Sequence, residues 1–204
     1  MTATTGWTEG WGLFWTLTLT LAAISLGFLF VLGWDTDGYR MVIRATARTS
    51  LVLFLAAFAA SAAFKLWPTS FTRWLRRNRR QLGLGFAMSH FVHALAIIAL
   101  WQTDPGVFWV LTNPKSIVTG GTAYLFIALL AATSFDRMVN ALGPKAWSRL
   151  HWWGVWIVAL SFIFTNGKRI PVSAWYALPV ALVVAVIVLR MMARRKQRRA
   201  AALA

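Results

Sequence analysis

The chain has 204 residues, of which 59% are hydrophobic and only 13% are charged, and its mean hydropathy is +0.62. Soluble domains carry about 25% charged residues, so this composition excludes a soluble globular domain and predicts a membrane protein. The formal net charge of +16 comes from short clusters of Lys and Arg that flank apolar runs. Clusters in those positions indicate membrane topology and contact with anionic lipid, and they do not predict nucleic-acid binding.

The positions of the acidic residues and the absence of cysteine limit the kinds of chemistry that this chain could carry out within the membrane. The five acidic residues all lie outside the long apolar runs or at their edges. Proton pumps and many ion-coupled transporters need carboxylates within the membrane, so transport of that kind is not predicted. The chain has no cysteine, which excludes thiolate-held metals and cysteine-ligated iron–sulfur clusters. Any chemistry inside the membrane therefore depends on histidine.

Six apolar runs follow one another, each close to the roughly 20 residues that a helix needs to cross a bilayer. We predict an all-α, polytopic membrane protein, a six-helix bundle that forms a single domain over residues 1–204. The predicted spans cover about residues 11–33, 49–67, 82–101, 117–135, 147–165 and 174–192. The first ten residues contain no Lys or Arg, unlike a secretory signal peptide, so we expect the first span to stay uncleaved.

The connecting segments carry three local signals. Arg40, Arg44 and Arg48 are spaced by four and share one helical face, which favours a separate amphipathic segment at the lipid surface. The stretch 103–116, which contains Pro105 and Pro114, is long enough to fold back over the membrane surface. Gly143 followed by Pro144 predicts that one helix ends there and the next begins.

Basic residues predict the orientation. Six spans place both termini on one side of the membrane, and that side carries fourteen of the twenty-one Lys and Arg residues against six on the other. The positive-inside rule then predicts cytoplasmic termini in a bacterial-type inner membrane.

The chain contains three histidines, and all are near or within apolar runs. His90 and His93 are three residues apart in the third span, and His151 begins the fifth. These two spans run in the same direction, so we expect the three side chains at comparable depth. A b-type haem needs two neutral imidazoles from different helices in an apolar slot. One histidine of the third span together with His151 would meet that need.

Residues around the histidines fit the same cofactor. Arg79, Arg80 and Arg149 are placed to neutralise haem propionates, and Gly83 and Gly85 would leave room for a flat macrocycle. Two other interpretations remain open. Each histidine would also be explained by a hydrogen bond to a neighbouring helix, and three imidazoles would also suit copper or zinc.

Two blocks of the sequence resemble the ferric reductase-like transmembrane family. The first is RRNRRQLGLGFAMSHFVH, which contains the family's RR-x-L-G-L motif with a histidine ten residues after Gly83, namely His93. The second is TSFDRMVNALGPKAWSRLHWWGVW, with the family's Thr-Ser turn, its Leu-Gly step, a tryptophan and the Leu-His pair at His151. The likeness covers spans two to five.

This resemblance implies haem ligation by His93 and His151, with His90 as an alternative ligand or a supporting partner. It also implies a one-electron relay that is fed by quinol or a flavoprotein and delivers electrons to a partner redox protein. Members of the family place a further histidine thirteen residues after the Leu-His pair, where this chain has Phe164. We therefore expect one haem b and not two.

The sequence contains no Gly-rich dinucleotide fingerprint, so a soluble electron donor must be a separate chain. We expect an electron-transfer subunit more than a self-contained oxidoreductase. The alternative is a haem-free accessory subunit that keeps the fold and serves a larger membrane complex, and the missing histidine at Phe164 motivates it.

Overall fold

The structure, a computed structural model, describes residues 6–202. Within this range the chain is helical and contains no β-strand, with one short 3-10 turn at Ala174–Tyr176. The α-helices are α1 Gly10–Leu32, α2 Thr36–Leu66, α3 Ser70–Arg77, α4 Arg79–Thr103, α5 Pro105–Leu111, α6 Pro114–Ala132, α7 Asp136–Leu142, α8 Pro144–Gly167 and α9 Ala177–Ala202. Residues 1–5, on which part of the uncleaved-span prediction rests, lie outside the described residues.

Five of these helices, α1, α2, α4, α6 and α9, are long and apolar enough to cross a membrane. The prediction of an all-α, polytopic membrane protein is therefore confirmed. Helix α8 has 24 residues, which is long enough to span, but it is not among the five. Lys145, Arg149 and several tryptophans lower its hydropathy, so the sixth span remains a prediction at this helix.

Helix α2 differs from the sequence prediction. It is one continuous helix of 31 residues, so the cluster of Arg40, Arg44 and Arg48 forms its first turns and is not a separate segment. Asp35 starts the helix, because its side chain accepts hydrogen bonds from the backbone N–H groups of Asp37 and Gly38 at 3.1 and 3.2 Å. No proline interrupts the chain until Pro68.

Buried hydroxyl groups join α2 to α4, which runs antiparallel to it. Thr49 Oγ1 and Ser50 Oγ lie 2.9 and 2.8 Å from Ser89 Oγ, and Ser89 Oγ donates to the backbone oxygen of Thr46 at 3.1 Å. We call Thr46, Thr49, Ser50 and Ser89 the hydroxyl seam. Small polar residues of this kind let two membrane helices approach closely and hydrogen bond across their interface.

The rest of the bundle is built around α2 and α4. Helix α4 also packs on α1 and α6, α2 also packs on α9, and α8 packs on α6 and α9. At Gly154 of α8 an added Cβ would lie 2.9 Å from the Leu130 side chain of α6, so these two helices are in close contact. In the described residues the backbones of α4 and α8 do not pack closely on each other.

Most Lys and Arg residues lie at one end of the bundle, where α3, α7, the starts of α4 and α8 and the end of α9 meet. We call this the basic end. Arg77 binds Glu9 at 2.7 Å there, and Lys65 Nζ donates to Gln197 Oε1 at 2.9 Å. We call the opposite end the far end, where Lys168 Nζ donates to Ser116 Oγ at 2.5 Å.

One of the predicted connections, at Gly143 and Pro144, is confirmed. Gly143 ends α7 with a φ of 75°, a conformation that favours glycine, and Pro144 then begins α8 as predicted. The stretch after α4 forms the short helix α5, which starts at Asp104, whose carboxylate accepts from the Val107 N–H at 2.9 Å.

Candidate functional site

A cavity of about 420 Å³ opens near the basic end, between α2, α4, α6, α7 and α8. Its walls are mostly apolar, and they include one imidazole, two guanidinium groups and one carboxylate. The lining residues are Phe54, Ala57, Phe58, Arg79, Arg80, Gly83, Phe86, Ala87, Ile127, Leu130, Ala131, Ser134, Asp136, Val139, Trp147, His151 and Val155. Ligand sites in proteins have this size and this mixture of apolar walls with few polar groups.

Glycine and alanine keep the cavity open on the α4 side. A Cβ added to Gly83 would meet no atom within 4 Å, so this part of α4 presents its backbone to empty space. Gly85 behaves differently, because a Cβ there would lie 3.1 Å from the Leu17 side chain of α1. The prediction that both glycines leave room for a macrocycle is therefore wrong for Gly85, which allows α1 to pack.

The predicted arginines separate into two groups. Arg79 and Arg80 line the cavity, and Arg80 forms an ion pair with Asp136 in which Nη1 lies 3.4 Å from Oδ2. Both partners of this pair are exposed, so its contribution to stability is about 1 kcal/mol at most. Arg149 is exposed and does not line the cavity, because it lies on another face of α8 than His151.

His151 is held in the cavity wall by two neighbours. The start of α8 at Pro144 places Trp147 one turn before His151, and the two rings stack with centroids 4.2 Å apart. Trp147 Nε1 donates to the Thr133 backbone oxygen at 2.7 Å, and Thr133 Oγ1 lies 3.0 Å from His151 Nε2. The end of α6 and the start of α8 thus orient the imidazole together.

Counting protons assigns the tautomer of His151. A hydroxyl group has one proton, and Thr133 Oγ1 donates its proton to the Leu129 backbone oxygen at 2.6 Å. It must then accept from His151, so Nε2 carries the imidazole proton and Nδ1 keeps its lone pair. A free lone pair on one nitrogen and a hydrogen bond from the other is the arrangement that metal-binding histidines use.

His93 lies beside the hydroxyl seam and is oriented in a similar way. Its Nδ1 is 2.9 Å from Thr46 Oγ1, and Thr46 Oγ1 donates its own proton to the Val42 backbone oxygen at 2.6 Å. Nδ1 of His93 therefore carries the proton and Nε2 keeps the lone pair. His93 therefore forms a hydrogen bond to a neighbouring helix, as one of the alternative interpretations of the histidines proposed.

His90 lies among aromatic rings. Its ring centroid is 4.8 Å from that of Phe86, 5.4 Å from Tyr124 and 5.9 Å from Phe162. Its Nδ1 and the Tyr124 hydroxyl are both buried and have no hydrogen-bond partner among the described residues. Phe164, at which the family resemblance led us to look for a histidine, is 51% exposed, and it is Phe162 that contacts His90.

Neighbouring side chains determine how far His90 lies from His151 along the bundle. Phe162, which contacts His90, is eleven residues beyond His151 on α8, or about 16 Å at 1.5 Å per residue. Helix α6 gives a similar value, because Tyr124 contacts His90 and Thr133 contacts His151, nine residues or about 14 Å apart. His93 lies on the next turn of α4, farther from the basic end.

One metal ion cannot bind histidines at both depths. An imidazole nitrogen lies about 2 Å from the metal that it binds, so two such nitrogens on one ion are about 4 Å apart. The prediction of comparable depth is wrong, because α8 starts about two turns farther out at the basic end than α4 does. Among residues 6–202 no group of three or more His, Cys, Asp or Glu residues could hold a metal ion, which counts against the three-histidine copper or zinc site.

Three residues around the cavity were not among the predicted site residues. They are Thr133, Asp136 and Trp147, and all lie in the second quoted block, from the first residue of the Thr-Ser turn up to His151. Trp147 had a recognisable signal, because a residue four positions before a helical histidine shares its face. Thr133 also had one, because it is the threonine of the Thr-Ser turn. Asp136 had none, since its contact with Arg80 depends on how the helices meet.

Comparison with known proteins identifies the family of this chain. A family model described as the ferric reductase like transmembrane component matches residues 41–162, which is 122 of the 204 residues. The chain belongs to this family. The match begins in α2 and ends in α8, so it includes every helix that lines the cavity. It also includes all three histidines.

Two relatives that the chain resembles in sequence are named as the heme-binding subunit MsrQ of protein-methionine-sulfoxide reductase. The one from Azospira oryzae is 35% identical over 81 residues, which cover 38% of this chain and 34% of the relative. The one from Ralstonia nicotianae is 32% identical over 146 residues, covering 64% of this chain and 62% of the relative. The chain thus spans about a third of the length of the first relative and somewhat under two thirds of the length of the second. No solved structure matches it.

Proposed function

We propose that this chain is an electron-transfer subunit of a bacterial inner membrane that binds one b-type haem in the cavity near the basic end. It would relay single electrons between quinol or a flavoprotein and a partner redox protein. The observation that carries the proposal is the cavity itself, which brings together a histidine with a free ring nitrogen, two arginines and a gap beside Gly83. The names of the two MsrQ relatives support haem as the ligand.

The residues of the cavity suit a haem with one protein ligand and do not suit the predicted pair. His151 would hold the iron through a ring nitrogen, and Arg79 and Arg80 would bind the propionates. His93 would not share that iron, since His90, one turn nearer the basic end, is already about 14 to 16 Å from the level of His151. A bound haem would supply reversible one-electron chemistry at iron.

The chain's own groups would prepare this site before any cofactor arrives. Thr133 and Trp147 hold the His151 ring in one tautomer and one plane. Phe54, Phe58 and Phe86 keep water from the inner wall, and a low-polarity wall is one of the means by which a protein sets a haem potential. The Arg80–Asp136 pair at the edge of the cavity holds one guanidinium near the opening.

Cytoplasmic termini, predicted from the positive-inside rule, would place the cavity in the cytoplasmic half of the membrane. An electron donor would then reach the haem from the cytoplasm or from the quinol pool of the bilayer. We also propose the partner redox protein, since the chain matches less than two thirds of the length of the relatives whose names call them subunits.

A pyridine haemochrome assay on the purified chain tests the proposal. We expect one haem b per chain and an alpha band in the reduced-minus-oxidised spectrum. A protein that folds in the membrane, was produced with sufficient haem, and shows no such band would contradict the proposal. Two haems per chain would show that the histidines of the far half bind iron as well.

The second candidate is a haem-free accessory subunit of a larger membrane complex. The specific observation in its favour is that His93 and His151 each already bond to a threonine of a neighbouring helix, so both serve helix packing. Under this candidate His151→Ala and His93→Ala leave electron transfer by the complex unchanged. Loss of turnover in either variant with normal assembly would reject it.

A further inference from the structure

A second cavity, of about 380 Å³, lies at the basic end between the last turns of α9 and the end of α2. Its lining residues are Leu66, Met192, Arg195, Lys196 and Arg199. The four residues from α9 follow a spacing of three, one and three, which places them on one face of the helix. This groove therefore has an apolar part and a part with three positive charges.

The groove is held in shape by hydrogen bonds between the two helices. Lys65 Nζ donates to Gln197 Oε1 at 2.9 Å, and Lys196 Nζ lies 3.4 Å from the Lys65 backbone oxygen. These bonds join the end of α2 to α9 across 132 and 131 residues of sequence. The cations are thus arranged by the fold before any ligand is present.

No carboxylate of the described chain neutralises these cations. The ion pairs within residues 6–202 are Arg40 with Asp37, Arg77 with Glu9 and Arg80 with Asp136. Arg195, Lys196 and Arg199 are exposed, and they repel one another unless an anion lies between them. Within residues 6–202 the charge of the groove has no complement, so an anion would meet three cations there.

The position of the groove indicates which anion this is. Met192 and Leu66 lie where the apolar parts of α9 and α2 end, and Met192 and Trp67 are 49% and 54% exposed, as expected at a membrane interface. The cations follow within the next two turns of α9. We propose that the groove binds an anionic phospholipid, with its phosphate against Arg195, Lys196 and Arg199 and the upper part of an acyl chain against Leu66 and Met192.

Native mass spectrometry of the full chain in detergent tests this proposal, with equal amounts of phosphatidylglycerol and phosphatidylcholine as probes. We expect preferential retention of phosphatidylglycerol. Each basic residue near a membrane surface contributes about fivefold to anionic lipid binding, so R195Q/K196Q/R199Q should lose roughly 100-fold of the preference. Met192→Ser tests the apolar part, and should weaken retention of phosphatidylglycerol while leaving all three charges in place.

The control variant R73Q/R137Q/K145Q removes three exposed charges from the same end of the bundle, away from the groove. It should keep the preference for phosphatidylglycerol, and an equal loss in the control would show general surface attraction and overturn the site. Equal retention of both lipids by the unaltered chain would do the same. If millimolar inorganic phosphate suppresses lipid retention, and Met192→Ser retains as much phosphatidylglycerol as the unaltered chain, the groove is a site for soluble anions and the proposal is overturned. Size-exclusion elution and far-UV circular dichroism check that each variant folds.

Discussion

The two halves of the bundle use histidine in different ways. Near the basic end, His151 borders a cavity of about 420 Å³ and has one ring nitrogen free. In the half nearer the far end, His93 bonds to the hydroxyl seam and His90 lies against Phe86, Tyr124 and Phe162, and neither histidine lines that cavity. A histidine of this bundle is thus either a candidate ligand or a packing residue, and the space next to its ring distinguishes the two roles.

The difference originates in side-chain size on α4. Gly83 and Ala87 leave space between α4 and α8 near the basic end, whereas His90, about two turns beyond Gly83, fills the gap and meets Phe162. Phe86, which lies between Gly83 and Ala87 in sequence, lines the cavity and also contacts Phe162. On the other face of α4, Ser89 lets α2 approach. One helix therefore opens a site at one depth and closes the bundle at another.

The largest expected effect is that of His151→Ala. It removes the imidazole that lines the cavity, so haem per chain should fall nearly to zero while the protein keeps its elution volume. His93→Ala is the matched control, and it should keep most of the haem because His93 lies at another depth. Pyridine haemochrome measurements on both variants decide the comparison. Equal loss of haem in a folded His93→Ala protein would show that both histidines serve one iron.

Filling the cavity without touching the histidines should also remove haem. Gly83→Leu places a side chain in the open space beside α4, and we expect haem content to fall well below that of the unaltered chain. Folding should not suffer, because leucine is about 1 kcal/mol more favourable than glycine within a helix. Gly120→Leu is the control, since a side chain at Gly120 also meets no atom within 4 Å but lies outside the cavity. Normal haem binding by Gly83→Leu would place the haem elsewhere.

A smaller effect is expected from Thr133→Val, which removes the hydroxyl that fixes the tautomer of His151. Loss of a group that orients a metal-binding histidine typically costs 10-fold to 100-fold in affinity, and we expect a loss of about that size for haem. Thr133→Ser keeps the hydroxyl and should restore binding. Titration of the haem-free protein with haemin gives the affinities. A loss shared by the serine variant would indicate a packing defect and not a lost hydrogen bond.

The smallest effect is expected in the hydroxyl seam. Ser89→Ala leaves the Thr49 and Ser50 hydroxyls without that partner, and interhelical hydrogen bonds in membranes contribute about 0.6 to 2 kcal/mol each. The free energy of unfolding in mixed detergent should drop by about that amount while haem content stays unchanged. Thr122→Ala is the control, because its hydroxyl is exposed and bonds only within α6. A loss of haem in Ser89→Ala would mean that the two halves are coupled.

Much of this protein follows from local sequence. Apolar run length places the helices, because burying about 20 consecutive apolar residues in lipid is favourable whatever lies around them. Gly143 and Pro144 end α7 and begin α8 through their own backbone preferences, and this places His151 in the second turn of α8. The sequence also predicts an open position at Gly83, and a Cβ there would meet no atom within 4 Å.

Only the tertiary structure decided which groups meet. The axial offset of α8 against α4 depends on contacts such as Gly154 with Leu130 and the hydroxyl seam, between residues far apart in sequence. That offset separates His90 and His93 from His151, and the packing of the helices admits Arg79 to the cavity but not Arg149. The same packing brings Thr133 to His151 and Thr46 to His93 as hydrogen-bond partners. Hydropathy reports that a residue lies in a membrane helix, but the depth at which two helices match is determined by how their side chains pack.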